Sequence, residues 1–183
     1  MVFHFTSNSL IRTEKKYLPE FVYGSIDGVV TTFAVVSGSL GAGLSPAIIL
    51  LLGFANLFAD GFSMAAANYL SAESEVELKS KSRIKRNNIS PIKSGIATFF
   101  SFFIAGFIPL ISYVLASFNE SLIEHQFVIS LILTGAVLFI IGLFKGELIK
   151  KHPLRSALET LIIGGIASVL AFLVGYVLKN VIL

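Results

Sequence analysis

The chain contains no cysteine and no tryptophan, only two methionines, and only 14% charged residues. Without cysteine there is no disulfide framework, no thiolate zinc site, no iron–sulfur cluster and no cysteine nucleophile. An average soluble domain carries about 25% charged residues. This chain therefore lacks the polar surface to clothe a water-exposed globule, and the composition argues against a soluble enzyme. Apolar residues take the place of the missing charge, at 55% of 183 residues and a mean hydropathy of +0.84. At roughly 20 apolar residues per bilayer crossing, that length accommodates about five or six spanning helices in a single domain.

Apolar runs fall at 21–43, 46–71, 92–117, 127–147 and 158–178. Each is long enough to cross a hydrocarbon core of roughly 30 Å at about 1.5 Å per helical residue. The runs are continuous rather than alternating, so the expected fold is an all-α membrane protein of five transmembrane helices and not a barrel. Residues 72–91 form the linker between the second and third spans. Of the fourteen Lys and Arg, thirteen lie before span one, between spans two and three, or around the gap between spans four and five; Lys179 alone lies at the other side. The loops Gly41–Ser45 and Ser117–Gln126 contain neither residue type. The positive-inside rule then places the N-terminus in the cytosol and the C-terminus outside. The basic stretch 79–93 reads as a topology determinant contacting lipid headgroups, not as a nucleic-acid patch. Tyr17, Tyr23 and Tyr69 near the inner ends, with Tyr113 and Tyr176 near the outer ones, fit interfacial anchoring. The first twenty residues lack the apolar core and cleavage site of a signal peptide, so no processing is expected.

Two acids stand where acids are costly. An ionised carboxylate inside a span costs on the order of 2.5–3.5 kcal/mol on insertion scales, so it calls for a partner, a proton or a water-filled path. Asp27 in span one and Asp60 in span two are such residues. In span two, Asn56, Asp60, Met64 and Asn68 recur at every fourth position and so share one helical face. Carboxylate and amide oxygens suit hard divalent cations, whereas a thioether favours softer transition ions; together they suggest Fe²⁺ or Mn²⁺. Each residue also has a plainer reading. Met64 can be a packing residue, Asn56 an interhelical hydrogen bond, and Asp27 a protonated carboxyl beside Gly24 and Gly28. Beyond Ser71, Glu73 and Glu77 share a face on which cations would collect at the cytosolic mouth; Glu77 can equally pair with Lys81. Glycine and alanine are dense in spans one and two, which are expected to form the packed centre, with the Phe-rich span three and span five at the periphery. Two acids are too few to surround a divalent ion, so a two-fold dimer supplying four carboxylates and two thioethers is expected.

The stretch Tyr23-Gly24-Ser25-Ile26-Asp27-Gly28, and Asn56-Leu57-Phe58-Ala59-Asp60-Gly61-Phe62-Ser63-Met64 continuing to Asn68-Tyr69-Leu70-Ser71, resemble the vacuolar iron transporter family. Gly142-Leu143-Phe144-Lys145-Gly146 and the later glycines Gly164, Gly165 and Gly175 resemble its last two spans. The resemblance implies a five-helix homodimer, an antiporter that moves Fe²⁺ and often Mn²⁺ out of the cytosol in exchange for protons, with Asp27 and Met64 lining the passage. Plant-type members place a glutamate where Asn56 stands and a small residue where Asp60 stands. They also carry a long cytosolic metal-binding domain, so this chain resembles a short form with only Glu73, Glu75 and Glu77 left in its place.

The expected function is thus export of Fe²⁺ or Mn²⁺, with the ion held by Asp27, Asn56, Asp60 and Met64, collected by Glu73 and Glu77, and protons as the coupling ion. No resident cofactor is expected. The protein should sit in a bacterial plasma membrane or a vacuolar membrane, with divalent metal ions, lipid and a second copy of itself as partners and no nucleic acid. Two other functions fit the same residues: a proton-coupled exporter of organic cations, and a membrane scaffold using Asn56 and Asp60 as interhelical glue. An enzyme is disfavoured, because no nucleophile–base set and no metal-hydrolase spacing occurs.

Overall fold

The computed structural model describes residues 3–81 and 90–182, with side chains over 17–78 and 90–181. The basic side chains of Arg12, Lys15 and Lys16, and those of the run Lys79–Arg86, lie outside the described residues. The chain is all-helical: α1 Phe3–Gly41, α2 Pro46–Lys81, α3 Pro91–Ala116, α4 Gln126–Leu148 and α5 Pro153–Ile182. All five are long and apolar enough to cross a membrane, and the chain is a multi-helix integral membrane protein. Helices α2, α3 and α5 each begin at a proline, whose fixed φ and missing N–H cost nothing in a first turn.

Between α1 and α2 the chain turns within four residues. Gly43 takes φ +70°, and the N–H groups of Gly43 and Leu44 donate to the carbonyls of Leu40 and Ser39 at 2.9 and 3.0 Å. The space a side chain at Gly43 would fill holds the Lys179 amine of α5. The one cation at the sparsely charged end therefore sits at the C-terminus of α1, where the helix dipole favours it. Between α3 and α4 lies a short 3-10 turn, Glu120–Leu122, capped by Asn119 Oδ1, which accepts from the Ser121 N–H at 3.2 Å.

The centre of the bundle is α3 packed on α1, which corrects the expectation that span three is peripheral and spans one and two central. One face of α3 is small: Ser94, Gly95, Thr98, Ser101, Ala105 and Gly106 are all buried. Two of its hydroxyls bond to their own helix, Thr98 Oγ1 donating to the Ser94 carbonyl and Ser101 Oγ to that of Thr98, each at 3.0 Å. The backbones meet so closely that a methyl built on Gly106 would lie 2.7 Å from the Gly28 carbonyl oxygen, and Gly28 faces the Phe102 backbone. The opposite face of α3, with Phe100 and Ile104, is exposed to the apolar surroundings. Composition hides this division, because the phenylalanines set the average hydropathy while the small residues set the contact.

Helix α2 lies to one side, against α3 and α1, and exposes Leu51, Phe58, Phe62 and Leu70. Helix α5 is peripheral as expected, almost wholly exposed from Ile162 to Val181 apart from a contact with α1, where Ser37 and Ser168 share a hydrogen bond of 2.8 Å. The core cluster gathers Phe33, Val36, Ile49, Leu57, Phe102, Leu110 and Tyr113. Tyr113 is 1% exposed, so it is a core residue and not an interfacial anchor. Tyr17 joins helix ends, its hydroxyl accepting from the Ser90 N–H at 3.0 Å just before α3.

Because α1 and α3 touch through backbone at Gly28, Gly28→Val should cost about 1–3 kcal/mol or more through overpacking. A clearly lowered midpoint of thermal unfolding in detergent micelles is the expected result; an unchanged midpoint would contradict the contact.

Candidate functional site

The α1–α3 contact fixes the azimuth of α1. With Gly24 and Gly28 turned to α3, the neighbouring Asp27 is turned away from it and lies half-buried. Its own carbonyl accepts from Thr31 Oγ1 at 2.7 Å, one turn on. Its carboxylate borders a cavity of about 440 Å³ between α1 and the inner ends of α4 and α5. Asp27 stands ten residues into the apolar part of α1 that begins at Tyr17, a depth of roughly 15 Å. Helix α2, which carries Asp60, also packs against α1. Asp60 itself is exposed on the single chain, flanked by the exposed rings of Phe58 and Phe62.

The other span-two residues divide. Asn68 donates a short hydrogen bond to Thr98 Oγ1 of α3, so this amide joins two helices. Asn56 reaches Thr32 Oγ1 of α1 at 3.4 Å, a long contact that leaves its side-chain oxygen available. Met64 is half-buried and packs on the core cluster; it is not among the residues bordering the Asp27 cavity. Glu73 is exposed, one turn from Tyr69, whose hydroxyl donates to it at 3.2 Å. Glu77 is exposed on the same extension of α2, and its expected partner Lys81 has its side chain outside the described residues. The structure thus sets Asp27 and Asp60 on adjoining helices and brings Asn56 to Thr32, while Met64 packs on the core cluster and Glu73 and Glu77 lie exposed on the extension of α2.

One acid escaped the sequence reading. Glu20, on α1 two turns before Asp27, accepts from Ser94 Oγ at 3.1 Å, and its second oxygen is buried with no hydrogen-bond partner. Its place one turn after Tyr17, seven residues before Asp27, is visible in the sequence. Among the described residues no three of His, Asp and Glu come together as a metal-binding group.

The sequence profile of the VIT family matches residues 18–89 and 76–176. This chain belongs to the VIT family. It is 28% identical to the vacuolar iron transporter of Plasmodium berghei over 91% of this chain and 84% of that protein. It is 26% identical to vacuolar iron transporter 1 of Arabidopsis thaliana, over 97% and 89%, and 26% identical to the vacuolar iron transporter of Toxoplasma gondii, over 93% and 77%. These relatives are transporters, not enzymes. The alignment with the Plasmodium protein runs over 229 positions, more than this chain possesses, so that relative carries segments this chain lacks.

The two asparagines should respond differently to truncation. Asn68→Ala removes a short interhelical bond and should cost about 0.6–1.7 kcal/mol, the range for such bonds in membranes. Asn56→Ala should cost less. Unfolding midpoints of the two variants in the same detergent check the order, and a larger loss at Asn56 would identify it as structural glue.

Proposed function

We propose that this VIT-family protein exports Fe²⁺, and Mn²⁺ with it, from the cytosol in exchange for protons. The observation that carries the reading is that Asp27 and Asp60 stand inside the apolar spans of two helices, α1 and α2, that pack against each other. In an apolar medium such a pair repels unless a cation or a proton accompanies it. The same pair can therefore accept either the metal or its counter-substrate, and exchange follows from the competition. The relatives named above, all vacuolar iron transporters, support iron as the cargo.

The metal is coordinated by Asp27 and Asp60, with Asn56 one turn away on α2 and Met64 supplying the softer donor that favours Fe²⁺ over Mg²⁺. Glu73 and Glu77, exposed on the extension of α2, gather cations at the mouth. Thirteen of the fourteen basic residues mark one side as cytosolic, which puts the N-terminus there and the C-terminus outside. The membrane is a bacterial plasma membrane or a vacuolar one, since both keep the basic side in the cytosol. A single chain leaves Asp60 exposed inside an apolar span; a second copy across a two-fold axis would cover it and raise the carboxylates to four. The homodimer is therefore the transporting unit in this reading, and the 183 residues form one transmembrane domain.

Asp27→Asn keeps the shape of the side chain and removes the charge, so Fe²⁺ and Mn²⁺ efflux in proteoliposomes with an imposed pH gradient should fall to background while the protein still elutes as a single species. Normal efflux from that variant would refute the reading, and an organic-cation exporter would show no metal-dependent rise in thermal stability. Met64→Leu conserves core volume and should leave stability nearly unchanged. Its Fe²⁺/Mg²⁺ preference should drop; an unaltered ratio removes the thioether from the coordination sphere.

A further inference from the structure

The cavity beside Asp27 holds a second charge. Its wall is largely aliphatic, with Val22 and Ile26 of α1, Leu148 of α4 and Ile163 of α5, and two side chains of opposite sign border it, Asp27 and Lys145. Lys145 is half-buried in the last turn of α4. No acid lies within ion-pairing distance of it among the described residues, where the one side-chain ion pair is Arg155 with Glu159 at 3.2 Å. Nor does the nearest acid in sequence compete for it. Glu147 is exposed and borders a separate cavity together with Lys150.

An ammonium on a flexible stem among aliphatic walls has two favourable places, water at the helix end or a carboxylate deeper in. Lys145 is three residues from the end of α4 at Leu148, roughly 4.5 Å, so it stands between Asp27 and the rim of the cavity. Its single charge and its position on the way in are what a guard of the acid requires.

We propose that Lys145 is a tethered counter-ion for Asp27: with no metal bound its ammonium swings inward to the carboxylate, and an arriving divalent cation displaces it toward the cytosolic rim. This rests on the exporter reading of the same site. The consequence is selection by charge. A dication attracts the carboxylates about twice as strongly as a monovalent ion at equal distance, so Fe²⁺ or Mn²⁺ evicts the ammonium while Na⁺ or K⁺ does not. When the metal leaves, the returning ammonium neutralises Asp27 and speeds release.

The test measures Mn²⁺ binding to the full-length protein in nanodiscs by calorimetry, alongside Mn²⁺ turnover in proteoliposomes. Lys145→Met keeps the length of the side chain and removes its charge; it should bind Mn²⁺ roughly tenfold more tightly, as expected for deleting one competing charge, and turn over more slowly. Lys145→Arg should stay close to the parent in both, and Lys145→Gln should behave as Lys145→Met should the latter not yield a single species. Tighter binding with slower turnover is a split that mere loss of packing does not produce. Unchanged or weaker Mn²⁺ binding in both neutral variants overturns the inference. Asp27→Asn, carried in parallel, separates the two failures: if it still binds and transports Mn²⁺, the exporter reading falls, whereas if it is silent and Lys145→Met matches the parent, only the role of Lys145 falls.

Discussion

The backbone contact between α1 and α3 governs the rest of the molecule. In an apolar medium no hydrophobic force presses helices together, so close van der Waals approach must do so, and glycine is the residue that permits it. Gly24 and Gly28 meet Thr98, Ser101 and Phe102, and Gly106 returns the contact to the Gly28 carbonyl. Once that seam is closed, the rotation of α1 about its axis is set. The residue adjoining Gly28 is Asp27, so the same seam that holds the bundle turns an acid away from α3 and toward the cavity at the inner ends of α4 and α5.

Charge at membrane depth is arranged sparingly. In the α3 seam the Thr98 and Ser101 hydroxyls bond to their own helix, Ser94 donates to Glu20 of α1, and Asn68 ties α2 to α3 through Thr98. Away from it stand Asp27 and Asp60 on adjoining helices, Asn56 with a long contact to Thr32, and Lys145, which has no ion-paired acid among the described residues.

Membership of the VIT family places this chain among transporters, and the Plasmodium relative carries segments that find no counterpart in these residues. The extension of α2 past the apolar span carries Glu73 and Glu77 on a continuous helix. The tie from Tyr69 to Glu73 shows the ordering continuing one turn past the asparagine stripe.

Five helices, their approximate ends and the acids Asp27 and Asp60 were legible in the residues, because crossing a bilayer imposes length and apolarity locally and an acid inside such a run stands out wherever it falls. The family was legible for the same reason, in contiguous segments around those acids. Which helix is central was not. Small residues were visible in α1, α2 and α3 alike, but which of them face a neighbour depends on rotation about each helix axis, a property of pairs and not of a segment. The same holds for Tyr113, assigned to an interface by its place near a helix end and buried in the core by its azimuth. It also holds for Lys145, more than a hundred residues from Asp27 along the chain and yet on the same cavity. Local composition determined what spans; the packing of α1 against α3 decided what faces what.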